Sequence, residues 1–195
     1  MIIFQLEGER TFMFHSENKL YLLKKETCSM PNLNTIEVRN QLVQELEALT
    51  NEQLNFRIQS NWTIGEVCDH LIKMDHQVLL MLQYTLTKNK EEEAPLKPIE
   101  RALDRSIKLE APDIVAPNPG PFSKSILLER LQQEKHLLDE EIASIEQDRL
   151  TKLSAKHPVF GRLSLQQWID LRTYHEQRHI DQIHELKSTP SFPTT

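Results

Sequence analysis

The stretch YHEQRHIDQIHE, residues 174–185, contains the pentapeptide HEQRH, which matches the H-E-x-x-H helical signature of zinc metalloproteases. At about 100° per residue, His175 and His179 lie about 40° apart on one face of a helix. Leu171 and Ile183 share that face, so both imidazoles are predicted to point into the interior of the protein. Two rings at this spacing can bind one metal ion, and the alternative is a pair of hydrogen-bonded structural histidines.

A metalloprotease needs a third protein ligand, and the sequence after HEQRH does not supply one. Only 16 residues follow His179, and the single glutamate among them, Glu185, lies on the same helix. The longer metzincin pattern requires a glycine at Gln182 and a histidine at Glu185. A charged residue inside the motif, Arg178, is also unusual for a helix of this class. We therefore predict that the chain is not a protease.

The third ligand is predicted on an earlier helix, at His70. This residue shares the apolar stripe of Val67 and Met74, so its ring faces the same interior as the later pair. Three neutral nitrogens with open coordination positions suit a catalytic zinc or nickel ion better than a closed structural site. Helical phase assigns other environments to the remaining candidates: Cys68 as a small buried hydrophobe, Asp69 as a solvated group or a support for a ligand, and His76 and His184 as surface residues.

Apolar residues at helical spacing predict four helices. The helices are expected from about 35 to 49, from 63 into the charge run after 86, from about 125 to 149, and from 164 to about 187. The second and fourth begin with capping boxes, TIGE and SLQQ. Residues 91–122 hold six of the ten prolines and form a long connector with one helical turn at IERAL. The predicted fold is an all-α four-helix bundle with one long connection, between the second and third helices.

The first 29 residues differ from the rest, because they are rich in aromatic residues and show no helical period. We expect a non-native or flexible extension over 1–29. In a bacterial gene, the codons of the KKE tripeptide before Met30 can read AAA-AAG-GAG, which resembles a ribosome-binding site. A native flexible or edge-strand tail is the alternative. The bundle would then occupy 30–188, followed by a frayed tail over 189–195.

Composition excludes several classes of function. The net charge of −6 and the pI near 5.8 argue against a nucleic-acid-binding surface, which needs a basic patch. No run approaches the roughly 18 apolar residues of a membrane span. The two cysteines, Cys28 and Cys68, form neither a disulfide framework nor a CxxC motif, and the first residues do not resemble a signal peptide. We expect a cytoplasmic protein without nucleic-acid or membrane partners.

Three motifs together resemble the DinB/YfiT-like superfamily. They are W-x-I-G-E-V-x-x-H-L at 62–71, H-P-x-F-G-x-L-x-x-x-x-W at 157–168 and Y-H-x-x-R-H-x-x-Q-I at 174–183. The resemblance covers about 33–186, and its last motif is the most specific. It implies an up-down-down-up four-helix bundle that holds a divalent metal ion on His70, His175 and His179, often as a homodimer.

Relatives of this kind include thiol-dependent S-transferases, isomerases and metal-dependent hydrolases. We therefore expect a metal-dependent enzyme, a thiol S-transferase or a hydrolase, that acts on a small electrophile and uses a low-molecular-weight thiol in the first case. A non-enzymatic, stress-associated metal-binding module is the alternative. The first 30 residues and the Pro-rich connector lie outside the pattern, so the resemblance does not identify the substrate. A di-iron bundle is excluded because the chain has a single E-x-x-H match.

Four further residues near the motif are candidates for a role in the site. Glu176 could act as a general base, although an outward salt bridge is the favoured interpretation. Arg172 could meet an anionic substrate or cap the rim of the bundle. Gln182 could orient a ligand or a metal-bound water. His157 is expected to pack within its loop near the mouth of the pocket.

Overall fold

The computed structural model describes residues 33–107 and 109–194. Four long helices form the bundle: α1 (Thr35–Glu47), α3 (Ile64–Lys88), α4 (Lys124–Ser144) and α6 (Leu165–Lys187). Shorter elements join them: α2 (Asn51–Asn55), a 3₁₀ helix (Ile99–Leu103), α5 (Arg149–Lys152), β1 (Ser154–His157) and β2 (Gly161–Ser164). The prediction of an all-α bundle is confirmed. The expectations for 1–29 and for Cys28 lie outside the described residues.

The central helices α3 and α4 run in the same direction. His76 of α3 lies 3.3 Å from Glu134 of α4, and Gln83, two turns later, donates a hydrogen bond of 3.0 Å to Glu141. From the first contact to the second, the residue number rises by seven on both helices. In an antiparallel pair it would rise on one helix and fall on the other. The long connector between α3 and α4 is the consequence, because a chain that re-enters a bundle in the same direction must cross its whole length.

Helices α1 and α6 are the other parallel pair. Arg39 bonds to Glu176, and about two turns later Glu45 bonds to His184. Helix α3 runs against α6, since His70 lies beside His179 while Asp75, further along α3, bonds to the earlier residue Arg172. The first and last long helices therefore run one way and the two middle ones the other.

The core consists of two apolar clusters at opposite ends of the bundle. One includes Leu71 of α3 and Ile183 of α6, and the other includes Val78 and Trp168 of the same two helices. Between them, α3 and α6 carry a layer of buried charged and histidine side chains. Of the described helices, none combines the length and the apolar character that crossing a bilayer requires.

Helix starts agree with the capping signals in part. Thr63 and Glu66 form the reciprocal capping box at the start of α3. Ser164 accepts a hydrogen bond from the backbone N–H of Gln167, but the side chain of Gln167 lies against the backbone of Lys97 in the connector. The predicted capping box at α6 is therefore half formed. The side chain of Gln167, which would complete it, contacts the connector instead.

The segment predicted as a loop before α6 contains a β-hairpin. Strands β1 and β2 are antiparallel, with Ser154 opposite Ser164 and His157 opposite Gly161. Gly161 adopts a φ of 75°, which suits glycine at the turn. Helix α4 ends at Ser144 instead of continuing to 149. The reason is Ile145, which leaves the helix in an extended conformation and buries its side chain in the core.

Two further segments have more structure than the sequence suggests. The polar stretch after α1 contains α2, which Thr50 and Gln53 cap reciprocally. In the C-terminal tail, expected to be frayed, the ring of Phe192 meets that of Phe56 edge to face at 6.1 Å. Gln53 also donates a hydrogen bond of 2.8 Å to the carbonyl of Pro193. The tail therefore contacts the bundle at these two residues.

Candidate metal centre

Three histidine rings meet between α3 and α6. His70 comes from α3, and His175 and His179 come from successive turns of α6. Their ring centroids are separated by 4.6–5.2 Å, and one ligating nitrogen from each lies within 4.8 Å of the others. The sequence predicted this set, and the structure brings it together.

The donor set fits a divalent metal ion. The Nε2 atoms of His175 and His179 are 3.3 Å apart. Two nitrogens at about 2.0–2.1 Å from one tetrahedral zinc ion would be separated by about 3.3–3.4 Å. The spacing of the two rings on α6 is therefore the spacing that one ion requires. With the three protein ligands that the described residues offer, at least one coordination position would stay open to a substrate.

Hydrogen bonds fix two of the rings. Nδ1 of His70 donates to the carbonyl of Val115 at 2.7 Å, and Nδ1 of His179 donates to Oε1 of Gln182 at 2.8 Å. A carbonyl oxygen only accepts, so Nδ1 carries the proton and Nε2 offers its lone pair to the centre. Gln182 thus orients a candidate ligand, which is one of the roles that the sequence predicts for it.

Burial keeps the three rings neutral. It lowers the pKa of His179 to about 3, with a further contribution from the nearby ring of His70. The pKa of His175 lies well below its usual value for the same reason, with repulsion from the two neighbouring rings. Burial also lowers the pKa of His70, although its bond to Val115 opposes the shift. Neutral imidazole is the form that binds metals, so no deprotonation is needed at neutral pH.

The indole of Trp62 packs against two of the three rings. Its ring centroid lies 5.1 Å from that of His70. It also stacks on His179 at 6.5 Å with an interplanar angle of 16°. Trp62 belongs to the first sequence motif, but the motif alone did not indicate contact with the candidate ligands. The indole therefore contacts two of the three candidate ligands, one on each of the two helices.

Arg178, the charged residue inside HEQRH, holds the connector against α6. Its guanidinium donates to the carbonyls of Ala102, Asp104 and Ile107, at 3.2 Å for the first and 2.7 Å for the last. In return, Arg105 donates to the carbonyl of Arg178 at 3.1 Å. These reciprocal bonds explain why a charge is placed in this motif.

A second anchor holds the connector against α3. Asp69 is fully buried and accepts hydrogen bonds of 2.9 Å from the backbone N–H of Asn118 and from Arg130. Lys73 donates to the carbonyl of Ala116 at 2.6 Å. Of the two roles that the sequence analysis gives Asp69, the solvated group is therefore wrong. It supports the candidate ligand His70 indirectly, because it fixes the segment that carries the carbonyl of Val115.

Comparison with known proteins identifies the family. The model of the DinB superfamily matches residues 35–183, a range that includes all three histidines. The chain belongs to the DinB superfamily. A relative in Bacillus subtilis (strain 168), the uncharacterized protein YuaE, is 35% identical over 152 residues, which are 77% of this chain and 93% of that protein.

A solved structure shares the fold of this DinB chain. YfiT from Bacillus subtilis aligns with a TM-score of 0.51 and 22% identity, over 78% of this chain and 81% of that one. It is described as a probable metal-dependent hydrolase with an unusual four-helix bundle topology. At this level of identity, the likeness supports the four-helix bundle fold only. The activity of this chain has to be inferred from its own residues.

A buried ion-pair cluster lies beside the three histidines of this DinB protein. Arg39 donates to Glu176 at 2.5 Å and to Asp75 at 2.6 Å, and Arg172 donates to Asp75 at 2.6 Å. All four side chains are at most 6% exposed. Burial alone would lower the pKa of Arg39, but the two carboxylates outweigh it and raise that pKa. Burial would raise the pKa of Asp75, and the two guanidinium groups lower it instead.

This cluster corrects two expectations. Glu176 points neither outward nor towards the three rings, because its carboxylate is bonded to Arg39. Arg172 is engaged by Asp75 and is not free to meet an anionic substrate. The sequence interpretation missed Arg39 and Asp75, although Arg39 lies in phase with the buried Leu42 and so carried a signal.

The other assignments of the DinB chain agree with the structure. His76 and His184 are exposed, as helical phase predicts. Cys68 is fully buried, which raises the pKa of its thiol. His157 packs on Trp168 with ring centroids 4.8 Å apart, and its Nδ1 accepts hydrogen bonds from two backbone N–H groups of its own turn. It packs within its loop as expected.

Proposed function

We propose that this chain is a metal-dependent enzyme in which a zinc or nickel ion on His70, His175 and His179 activates water or a small thiol for attack on a small electrophile. The observation that carries the proposal is the convergence of three neutral imidazoles at the spacing that one ion requires. Hydrolysis is the first activity to test, since YfiT, which shares the fold, is described as a probable metal-dependent hydrolase. S-transfer is the same attack with a thiol in place of water.

The residues of the chain would hold the ion and shape its surroundings. When bound to three neutral nitrogens, a divalent metal ion acts as a Lewis acid and lowers the pKa of water or of a thiol. The carbonyl of Val115 and the amide of Gln182 keep the Nε2 lone pairs of their histidine partners directed at the centre. Trp62 packs against His70 and His179, so a substrate would approach the ion from a direction that the indole does not occupy. Cys68, the cysteine within the described residues, is fully buried and so would not supply the thiol for S-transfer.

The geometry also supports the exclusion of protease activity. In an H-E-x-x-H protease the glutamate acts as the general base. Here Glu176 accepts two hydrogen bonds from Arg39, at 2.5 and 3.2 Å, and is 1% exposed. A carboxylate held in this way cannot reach a substrate.

We further infer a cytoplasmic homodimer that acts on a small molecule and has no nucleic-acid or membrane partner. The net charge of −6 supports the absence of a nucleic-acid surface. Light scattering after gel filtration measures the oligomeric state directly, and a monomer at micromolar concentration would contradict this part of the proposal.

The decisive experiment measures metal and turnover in the same preparation. The protein should carry about one zinc or nickel ion per chain. It should hydrolyse activated esters, or join a thiol to an electrophile such as chlorodinitrobenzene, and lose this activity with a chelator until metal is restored. Turnover that survives the chelator would overturn the metal mechanism. Bound metal without turnover across both substrate classes would favour the metal-binding module instead.

A further inference from the structure

Arg39 is the residue at which all four long helices are joined. It belongs to α1, and its guanidinium donates to Glu176 of α6 at 2.5 Å and to Asp75 of α3 at 2.6 Å. A third hydrogen bond, of 3.1 Å, goes to the backbone carbonyl of Leu131 on α4. The side chain is 2% exposed, so water is excluded from these contacts. One buried side chain therefore links the two helices that carry the candidate metal ligands to the other two.

The ion-pair cluster holds α6 directly beside its histidines. Glu176 follows His175 in the chain, and Arg172 lies three residues before His175, about one turn away. Arg172 is bonded from α3, because it donates to Asp75 at 2.6 and 3.1 Å. Glu176 is bonded from α1, because it accepts from Arg39. Helix α6 is therefore bonded from two directions, and a rotation about its axis would strain these bonds.

The orientation of α6 about its own axis determines whether its two histidine rings reach one ion. Side chains of an α-helix extend to about 5–6 Å from the helix axis, so a rotation of about 10° displaces them by about 1 Å. The bonds between a metal ion and its ligands tolerate only about 0.2 Å. Apolar packing is non-directional, whereas the charge-assisted bonds of a guanidinium group fix both distance and angle. The ion-pair cluster is thus suited to fix the orientation that the metal centre needs.

We propose that Arg39 is a positioning residue for the metal centre, which holds α3 and α6 in the relative orientation in which the three candidate ligands converge. Within the described residues, the hydrogen bonds of Arg39 go to Glu176, Asp75 and Leu131. It would therefore act on the rings through the helices that carry them. The inference rests on the metal centre of the proposed function, but not on any turnover there.

Charge alone makes the opposite prediction for the replacement of Arg39 by methionine. The cluster contains two cations and two anions, so Arg39→Met leaves one net negative charge beside the three rings. A negative charge attracts a divalent cation, and metal binding would become tighter. If Arg39 positions the helices, metal binding becomes weaker instead. The sign of the change therefore separates the two roles.

The test measures the zinc affinity of the full chain by competition with a chromophoric chelator. Arg39→Met should bind zinc about tenfold more weakly than wild type, at the lower end of the losses of about 10–100-fold that follow when the outer supports of metal ligands are removed. The matched control is Leu138→Ala, which truncates a fully buried core side chain in the apolar cluster of Val78 and Trp168. Trp168 lies about 16 Å from His179 along α6. The control loses stability far from the rings, so its zinc affinity should equal that of wild type.

Arg39→Lys provides the test if Arg39→Met does not fold. Lysine keeps the positive charge, but one ammonium group cannot reproduce the fork of the guanidinium. This variant should also bind zinc more weakly, whereas a pure charge effect would leave the affinity unchanged. Cobalt(II) in place of zinc gives a second readout, because its visible absorption reports the coordination geometry. The cobalt spectrum should change in the Arg39 variants and not in Leu138→Ala, and circular dichroism establishes that each protein is folded.

The outcomes separate this inference from the proposed function. A folded Arg39 variant with the zinc affinity and cobalt spectrum of wild type, or with tighter zinc binding, would overturn the positioning role alone. Wild-type protein that binds zinc but shows no turnover would contradict the proposed enzyme and leave the positioning role intact. Wild-type protein that binds neither metal ion would overturn both.

Discussion

Replacing Glu176 with alanine separates a structural role from a catalytic one. The carboxylate is 1% exposed and accepts hydrogen bonds of 2.5 and 3.2 Å from Arg39. Its removal leaves a buried guanidinium with one carboxylate partner, Asp75, that Arg172 already shares. Breaking a buried ion pair in this way destabilises a protein by about 3–5 kcal/mol. For a chain of this length, about 2–4 °C is lost per kcal/mol, so the melting temperature should fall by about 6–20 °C.

Urea unfolding followed by circular dichroism measures this loss. The matched control is Glu140→Ala on α4, since Glu140 is exposed and lies 3.4 Å from His136 one turn earlier. That variant should stay within about 0.5 kcal/mol of wild type. A Glu176→Ala protein that is as stable as wild type but has lost turnover would refute the structural assignment and restore the general-base interpretation.

Three further predictions concern the histidines. His70→Ala should remove most of the metal found by mass spectrometry and His184→Ala none of it; full occupancy in the first variant would place the third ligand elsewhere. Trp62→Ala should weaken metal binding about tenfold in a competition titration, and Trp62→Phe should largely restore it, because the contact acts by orienting two ligands; equal affinity in all three proteins would contradict that role. Metal-free protein should lose stability as the pH falls from about 6.5 towards 3, because the unfolded chain protonates His179 and its neighbours while their depressed pKa values keep the folded rings neutral. Each ring contributes up to about 1.4 kcal/mol per pH unit, and a melting temperature that does not change between pH 7 and 5 would contradict the burial of neutral rings.

The long helices and the three histidines could be predicted from the sequence because their signals are local or periodic. Apolar residues repeat every three to four positions in each helix, and the same period places His175 and His179 on one face. The same reasoning on α3 predicted His70 as the third ligand, because His70 lies on the same helix face as buried apolar residues. When all the ligands of a site lie on amphipathic helices, the periodicity of the sequence is thus enough to predict them.

The connector anchors and the hairpin could not be predicted in the same way. Arg178 bonds to carbonyls more than 70 residues earlier in the chain, and nothing in its local sequence identifies them. Strands β1 and β2 have four residues each, which is too short for an alternating pattern to stand out. Their formation depends on packing against α6, a tertiary effect.

The ion-pair cluster could not be predicted for a different reason. The charge of these side chains by itself suggested that they are exposed to solvent. Arg39 and Asp75 each lie in phase with buried apolar residues of their own helices. Phase therefore indicated burial, but a buried charge is stable only with a partner, and the partners lie on other helices. Pairing two Arg with two carboxylates across three helices requires knowledge of the bundle order.

The arrangement on α6 also bears on the chemistry of the site. The helix carries two interleaved pairs at i and i+4, the two histidines and the charged pair of Arg172 and Glu176. Arg39 and Asp75 bring the charged set to two cations and two anions, so it adds no net charge beside the neutral rings. A divalent ion on those rings would keep its full charge in a layer between two apolar clusters, where Coulomb interactions are strong. Such a site would favour an anionic nucleophile over a neutral one, which is the preference that the proposed hydrolysis or S-transfer would need.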